Sequence, residues 1–291
     1  MDKSGLYSVD NAFQLVADWP SVCEDKYWVP VTYRNQESLK ARVLNSEKWT
    51  KLWSLSTRLN SSSEYNEDIK NILLPVKLVQ MNSNPFRCRY LSLYGGDSGN
   101  LFTEIERLDR FPESLAAPLF RQMVSAVSAG HSVNVCFPKV TLKSWEFSDA
   151  THMNLRISFF DSLSLMNDEK CLSNDFNRCI LYASPEYVTS KNEQTYYPGK
   201  SADVWALGVM LYLMLTGGGP FTFLSADQLE FQILNQVIIF PSHIKLSIEA
   251  KLMVYHCLRR DVSKRASAEQ LLKSPWLQDR PPRFDRLLNE S

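Results

Sequence analysis

Hydrophobic and polar residues follow one period in the first third of the chain and another in the remainder. In the first third, apolar and polar residues partly alternate over short runs, which is the period-two pattern of half-buried strands. These runs predict strands at residues 27–33, 38–44, 72–79 and 89–93. The glycines Gly95, Gly96 and Gly99 follow the last run and predict a hinge.

Beyond these glycines the hydrophobic period becomes helical. A first helix is predicted where six apolar residues recur at helical spacing, and we expect Gly130 to end it. A second helix, from about Ala202 to Thr216, is apolar nearly all round and should be buried, with Gly217–Pro220 ending it. The residues that define the first helix are Leu115, Leu119, Phe120, Met123, Val124 and Val127.

Two more helices complete the predicted architecture. One is expected at residues 248–258, and the other follows Ser267–Gln270, which has the sequence of a capping box. The chain is therefore predicted to be an α+β protein in which a small β-rich part precedes a larger, mostly α-helical part.

Composition and charge narrow the possible partners and location. The 291 residues include 32 Lys plus Arg and 32 Asp plus Glu, so no net field would draw the chain to nucleic acid or to a membrane surface. The longest apolar run, Val204–Leu215, is too short to span a bilayer, and MDKSGLYSVD has no apolar secretory region. We therefore expect the chain in the nucleus, the cytoplasm or both.

The six cysteines are scattered and form no metal-ligand spacing. No CxxC pair occurs, and no paired histidine spacing accompanies them. We therefore expect mostly reduced core thiols and no metal site. The six residues are Cys23, Cys88, Cys136, Cys171, Cys179 and Cys257.

Three stretches of the α-rich part resemble the C-terminal half of protein kinases. Ser184-Pro185-Glu186 is similar to the Ala-Pro-Glu motif that closes the activation segment, and Ser201–Val209 resembles the central helix with its Asp-x-Trp signature. Lys264–Ser267 together with Pro275–Leu277 resembles the end of the fold. The resemblance implies a bilobal kinase-like fold with an N-lobe at 1–95, a C-lobe at 96–278 and a tail at 279–291.

The same resemblance implies two structural roles. Glu186 should pair with Arg265 and so hold the activation segment against the last helices. Asp203 should accept hydrogen bonds from the backbone of the catalytic loop. These roles concern the fold, and they do not require catalysis.

Groups that would bind nucleotide are replaced in the first part of the chain. Phosphoryl transfer requires a glycine-rich flap and a strand lysine. The flap region, residues 15–31, contains no glycine, and the strand lysine position falls on Arg42. Lys40 shares a face with Arg42 by strand alternation, so it either substitutes for that lysine or is a solvated surface residue.

The catalytic loop and the metal-binding positions also depart from the kinase pattern. The His-Arg-Asp position falls on Phe137-Pro138-Lys139, so the catalytic base is replaced by a cation. The metal-binding Asn position is Ser144, and Asp-Phe-Gly becomes Phe159-Phe160-Asp161. Asp149 is a possible replacement carboxylate in a predicted turn. We therefore predict a pseudokinase without cofactor, metal or catalytic residues.

Within the kinase fold the chain resembles the Tribbles family. The similarity lies in Gly199–Tyr212, in Cys257–Asp261 and in the helix containing Leu119–Gln122. The stretch 155–186 also aligns without gaps, and there Phe159–Asp161 takes the place of the family's Ser-Leu-Glu. Tribbles proteins generally keep the base Asp and the strand Lys, and this chain keeps neither.

The resemblance implies an adaptor. Tribbles proteins bind a peptide of C/EBP-type bZIP transcription factors, recruit a COP-type ubiquitin ligase through an Asp-Gln-x-Val-Pro motif, and engage a MAP kinase kinase. The sequence ends PPRFDRLLNES without that motif. Either the sequence is truncated, or this chain recruits no ligase in that way.

The family's peptide groove is formed by the activation segment, which gives candidate partner-binding residues at Phe160, Asp161, Asp168 and Glu169. Phe159 and Phe160 either position the segment or fill the nucleotide cleft, and the charged run around Asp168 either contacts a basic partner or is solvated. Two other functions stay open: an ATP-binding switch without turnover, and a residual Ser/Thr kinase using Lys40, Lys139 or Asp161 in new roles.

Overall fold

The computed structural model describes residues 13–15, 28–33, 36–44, 50, 54, 57, 71–73, 77–82, 88–94, 99–158, 164–165, 170–172, 179–193, 195–222 and 225–278. The chain divides into two compact units, one comprising Met1–Tyr65 and Leu73–Ser98 and the other Asn66–Ile72 and Gly99–Ser291. The boundary near residue 98 lies close to the hinge predicted from the glycines. Residues 66–72, predicted to be part of the N-lobe, belong instead to the larger unit.

The smaller unit contains a five-stranded antiparallel sheet in the order β1-β2-β3-β6-β5. Central strand β3 pairs Arg42 with Trp28 on one side and with Ser92 on the other. The single strand predicted at 72–79 corresponds to two strands, β4 and β5, which belong to different sheets. The first six strands of the chain are β1 Phe13–Leu15, β2 Trp28–Tyr33, β3 Gln36–Leu44, β4 Ile72–Leu73, β5 Lys77–Asn82 and β6 Cys88–Tyr94, of which β4 belongs to a different sheet.

Residues 71 and 72 join the larger unit through a buried amide. The Asn71 side chain donates to the carbonyl oxygen of Leu155 at 2.8 Å and to the side-chain oxygen of Gln122 at 3.0 Å. Gln122 Oε1 also accepts the backbone N–H of Leu155 at 2.8 Å. Because buried polar groups need partners, these bonds hold Asn71 and Ile72 to the larger unit.

Short strands and small sheets frame the larger unit. Strands β8 and β9 form a hairpin within the sheet β4-β9-β8, while β7 pairs with β10 and β11 with β12. The strands are β7 Val135–Cys136, β8 Trp145–Phe147, β9 Leu155–Ser158, β10 Ser164–Leu165, β11 Lys170–Leu172 and β12 Tyr196–Pro198.

Helices supply most of the core of the larger unit. Within the described residues they are α1 Leu101–Leu108, α2 Glu113–Ser132, α3 Pro185–Glu193, α4 Gly199–Thr216, α5 Ala226–Asn235, α6 Ile248–Cys257, α7 Ala268–Leu272 and α8 Pro275–Gln278. Helix α4 is buried nearly all round, which confirms the prediction from its apolar sequence. None of the helices in the described part of the chain is long and apolar enough to cross a bilayer.

Local capping chemistry explains where these helices begin and end. Ser225, Ser247 and Ser267 each accept a backbone N–H at the start of a helix, and Ser267 forms the predicted capping box with Gln270. Gly217 ends α4 in the left-handed conformation, with φ +74°, and donates to the carbonyl of Leu213.

Candidate functional site

The segment in the position of a catalytic loop begins at Phe137, directly after strand β7. The backbone N–H of Phe137 donates to Asp203 Oδ2 at 2.8 Å, and Asp203 lies in the first turns of helix α4 with no exposed surface. His131 Nε2 lies 3.0 Å from the same oxygen. Asp203 therefore accepts the loop-backbone hydrogen bond that the kinase resemblance implied.

The His131–Asp203 contact joins the last turn of helix α2 to helix α4. The Asp203 side chain has no exposed surface, and the His131 side chain is 11% exposed. A buried carboxylate requires several partners to offset its lost hydration, and His131 supplies one of them. His131 and Asp203 are 72 residues apart in the chain, so no local sequence pattern predicts their contact.

Phe137 itself is a buried hydrophobic side chain where a kinase has histidine. It has no exposed surface, and its ring lies against Gly130. A Cβ atom built at Gly130 would lie 2.5 Å from Phe137 Cε2 and 2.6 Å from Cζ. The expectation that Gly130 ends a helix is wrong, since α2 continues to Ser132 and the glycine makes room for this ring.

The other loop positions carry no acidic group. Pro138 is buried, and the side chain of Lys139 is exposed. An ammonium group is a hydrogen-bond donor only, so Lys139 offers no acceptor for a substrate hydroxyl proton. The N–H of Val140 donates to the carbonyl of Phe137 at 3.1 Å, which makes the loop a tight turn around these two positions.

Ser144, in the position of the metal-binding asparagine, is used in local structure. Thr141 and Ser144 form a capping box around the short 3₁₀ turn Leu142–Ser144, in which Ser144 Oγ accepts the N–H of Thr141 at 3.1 Å. In the described part of the chain, no group of three or more His, Cys, Asp and Glu side chains could hold a metal ion.

Asp149, considered as a replacement carboxylate, caps the β8–β9 hairpin. It accepts hydrogen bonds from the N–H and hydroxyl of Thr151 and from Asn154 Nδ2. These bonds, with that from the Thr151 hydroxyl foremost, hold the pKa of Asp149 below its usual range. Its hydrogen-bonding capacity is therefore directed into its own turn.

Glu186 and Arg265 form the ion pair that the resemblance implied. Arg265 Nη1 lies 2.5 Å from Glu186 Oε1 and Nη2 lies 2.9 Å from Oε2, a bidentate geometry. The same guanidinium donates to the carbonyls of Ser201 and Arg259, each at 2.7 Å. It also lies over the Trp205 ring, 5.2 Å from its centroid. Arg265 therefore joins the end of the activation segment to α4 and to the turn after α6.

Several predicted residues are not placed by these contacts. Phe159, Phe160, Asp161, Asp168 and Glu169 lie outside the described residues. The backbones of Lys40 and Arg42 lie in β3 of the smaller unit, where Lys40 pairs with Pro30 and Tyr94.

Helix α1 carries a polar cluster, formed by Glu104, Arg107 and His152, that the sequence did not predict. Glu104 forms a two-point contact with Arg107 at 2.6 and 3.1 Å, and its Oε2 lies 3.1 Å from His152 Nδ1. The His152 ring stacks on Phe147, with centroids 4.6 Å apart and planes 9° apart. The spacing of three residues between Glu104 and Arg107 could have predicted their ion pair. The contact with His152 could not be predicted in this way, because the turn between β8 and β9 places His152 beside Glu104.

Comparison with known proteins agrees with this geometry. The family model described as the protein kinase domain matches residues 67–277, which is more than half of the chain. The chain therefore belongs to the protein kinase domain family.

Curated relatives to which the chain is similar include several Tribbles proteins. Tribbles homolog 1 of Homo sapiens is 34% identical over 182 residues, covering 62% of this chain and 48% of that protein. Tribbles homolog 2 of Canis lupus familiaris is 33% identical, covering 61% and 50%. Tribbles homolog 3 of Rattus norvegicus is 32% identical, covering 65% and 54%. The chain spans about half the length of these relatives, and it is similar to Tribbles proteins over that part.

Proposed function

We propose that this chain is a catalytically inactive adaptor that binds a C/EBP-type bZIP transcription factor and promotes its ubiquitin-dependent degradation. A COP-type ubiquitin ligase and a MAP kinase kinase are its other proposed partners, in the nucleus, the cytoplasm or both. The proposal extends the similarity to Tribbles proteins, and it is supported by the retained C-lobe contacts and by the replaced catalytic groups.

One observation carries the proposal: the contacts that hold a kinase C-lobe together are present, while the loop that performs the chemistry is built from other groups. Glu186, Asp203 and Arg265 form the ion pair and hydrogen bonds described above. Phe137 fills its position as a core residue and Ser144 closes a local turn. Phosphoryl transfer depends on positioned charges, so this loop supports a binding function better than a catalytic one.

The charged groups that a kinase needs for phosphoryl transfer are replaced together in this chain. Lys139 stands at the base position, Ser144 at one metal position and Phe159 at the other, while Arg42 replaces the strand lysine. The effects on catalytic rate of removing residues that act as a unit do not add, because losing even one such group already lowers the rate by orders of magnitude. We therefore propose no transfer of phosphate and no requirement for nucleotide.

Binding of a bZIP segment with and without ATP tests the adaptor function. We expect a C/EBP-type peptide to bind the purified chain in calorimetry with the same affinity in both conditions. Phe160→Ala and the charge reversals Asp168→Lys and Glu169→Lys should weaken binding. Glu269→Lys, an equal charge change at an exposed position of α7, is the matched control. Full affinity in all the activation-segment variants would remove that segment as the peptide site.

Nucleotide and phosphate assays test inactivity separately. We expect no phosphate transfer with Mg²⁺ or Mn²⁺ and no rise in the unfolding temperature at millimolar ATP. A ligand that binds the folded state at tens of Kd stabilises it by about 2 kcal/mol, which a thermal shift would detect. A shift without transfer would identify an ATP-binding switch, and transfer abolished by Lys139→Ala would identify a rewired kinase.

A further inference from the structure

Five large apolar side chains are exposed in the stretch of the larger unit that runs from the end of helix α5 to helix α6. We name this set the 237–255 strip, formed by Val237, Ile239, Ile248, Leu252 and Tyr255. Their exposed fractions are 70%, 69%, 72%, 48% and 38%. Scattered exposed apolar residues are ordinary, but a grouped set of large ones marks an interaction surface.

Helix α6 supplies one side of the strip. Ile248, Leu252 and Tyr255 recur at i, i+4 and i+7, so they share one face of the helix. The opposite face, with Ala250, Met253, Val254 and Cys257, is buried in the core. The outward face of an amphipathic helix normally carries polar residues, and here it is apolar as well.

The extended segment Gln236–Phe240 supplies the other side. Its burial alternates, with Ile238 5% exposed and the flanking Val237 and Ile239 directed outward. The hydroxyl of Tyr212 donates to the carbonyl of Ile239 at 2.7 Å, and that of Tyr255 donates to the carbonyl of Ile238 at 3.3 Å. The segment is therefore held by hydrogen bonds in the conformation that presents these two side chains.

An aromatic stack joins the two sides. The Phe240 ring lies 5.2 Å from Tyr212 and 5.6 Å from Tyr255, the latter in edge-to-face geometry. Lys251 of α6 places its Nζ 6.0 Å from the centroid of the same ring. Since these contacts fix the strip before any partner arrives, binding would require little ordering of its backbone.

The charged residues in the stretch of chain that contains the strip are mostly positive, while Glu113 of α2 is engaged by Ser247 at the start of α6. Between residues 241 and 259 the Lys and Arg residues are Lys245, Lys251 and Arg259, against one acidic residue, Glu249. Lys245, Glu249 and Arg259 are exposed, and Lys251 is half-buried beside Phe240. Complementary potentials select partners across an interface, so an acidic segment suits this surface and a basic one does not.

We propose that the 237–255 strip docks a segment of a partner protein in which bulky apolar side chains are flanked by Asp and Glu. The apolar side chains would cover Val237, Ile239 and Leu252, and the carboxylates would face Lys251 and Lys245. This interface goes beyond the adaptor function proposed above, because it involves neither the activation segment nor its peptide.

Peptide selection on the intact chain tests the chemistry of the strip without assuming a partner. A random peptide library displayed on phage is selected on the immobilised chain and counter-selected on the Ile239→Lys variant. We expect the enriched peptides to combine large apolar residues with Asp or Glu. Fluorescence anisotropy of a selected peptide should show affinity at least about tenfold weaker for Ile239→Lys, the size expected for losing one buried anchor.

Charge reversal distinguishes specific docking from non-specific hydrophobic binding. Lys251→Glu should weaken binding of the selected peptide. A peptide in which Asp and Glu are changed to Lys should bind that variant with restored affinity. Lys264→Glu is the matched control, because Lys264 is 73% exposed in the turn after α6 and should leave binding unchanged. Val237→Ser is a milder second variant, and circular dichroism melting checks that each variant is folded.

Three outcomes would overturn the proposal. Enrichment of basic peptides, or equal affinity for Lys251→Glu, would show that the charges do not select the partner. No enrichment over the counter-selected variant would show that the strip binds no peptide. Concentration-dependent dimerisation in sedimentation equilibrium, lost in Ile239→Lys, would show that a second copy of the chain covers the strip instead.

Discussion

Gly130 and Phe137 are matched in size, since the ring of one occupies the space that a side chain at the other would need. A Cβ atom at position 130 would approach the ring to 2.5 Å, and the ring has no exposed surface into which it could move. The replacement of the catalytic-loop histidine position by phenylalanine is therefore accommodated by a glycine inside helix α2.

Gly130→Ala should destabilise the chain by about 1–3 kcal/mol, the usual range for overpacking a core. Intrinsic helix propensity acts in the opposite direction, since alanine is favoured over glycine by about 1 kcal/mol within a helix. A net loss therefore requires the clash with Phe137. Denaturant unfolding measures the effect, with Gly218→Ala as control because a Cβ there meets nothing within 4 Å. In the background Phe137→Leu the Gly130→Ala loss should shrink, and an unchanged loss would contradict the size match.

The contacts of Arg265 predict that its buried ion pair contributes much more to the free energy of unfolding than an exposed ion pair does. Arg265→Ala should destabilise the chain by about 3–5 kcal/mol, because it leaves Glu186 without its buried partner. Arg265→Lys should recover only part of this, since lysine has no planar fork for a bidentate contact. Lys273→Ala is the control, because the Lys273–Glu269 pair is exposed and should contribute less than about 1 kcal/mol. Equal losses for Arg265→Ala and Lys273→Ala would contradict this assignment.

Features that depend on short local motifs could be predicted from the sequence. Glu186, Asp203 and Arg265 were found because each belongs to a short family motif whose partner is fixed by the kinase fold. The capping box at Ser267 and the stop at Gly217 were found because capping is local chemistry. These predictions needed no knowledge of distant contacts.

Other features depend on distant contacts and left no local pattern. The Gly130–Phe137 packing was misread because glycine after an apolar run is also a usual helix stop. Asn71 directly precedes an apolar stretch that resembles a strand, yet its amide bonds to Leu155, 84 residues away, and holds residues 71 and 72 to the larger unit. Such assignments require the tertiary structure.

The Glu104 cluster predicts a dependence of stability on pH. The hydrogen bond from Arg107, with help from His152 and against the effect of burial, holds the pKa of Glu104 below its ordinary value. A folded-state pKa below the unfolded one means that the carboxylate stabilises the fold above about pH 4.3, and that this contribution disappears as the pH falls through the folded value. The free-energy difference between wild type and Glu104→Gln should therefore be larger at pH 7 than in strong acid.

Glu106→Gln is the control for that measurement, because Glu106 lies on the same helix with an exposed side chain. Its effect on the free energy of unfolding should be small at both pH values. A difference for Glu104→Gln that is the same in acid and at neutral pH would assign its effect to packing, and the charge of Glu104 beside Arg107 would then have no role in stability.

Burial predicts that two cysteines differ sharply in reactivity. Cys257 has no exposed surface, and its burial raises the pKa of its thiol to about 12, so little thiolate is present at pH 8. Cys179 is exposed and lies shortly before the Ser184-Pro185-Glu186 motif that closes the activation segment. Iodoacetamide followed by peptide mass spectrometry should label Cys179 in the native chain and label Cys257 only after denaturant is added. Rapid native labelling of Cys257 would contradict the packing of α6 against α4.

The His131–Asp203 contact predicts that the shape of the residue at 131 matters less than its hydrogen bond. His131→Leu removes one partner from a fully buried carboxylate and should cost about 1–3 kcal/mol, the range for an unsatisfied buried polar group. His131→Asn keeps a donor near Asp203 and should lose less. Hydrogen exchange of the Phe137 amide, which donates to the same oxygen, should accelerate more in the leucine variant. If both variants lose equal stability and the amide remains protected, the histidine acts by packing, and Asp203 is held by the loop backbone and its other partners.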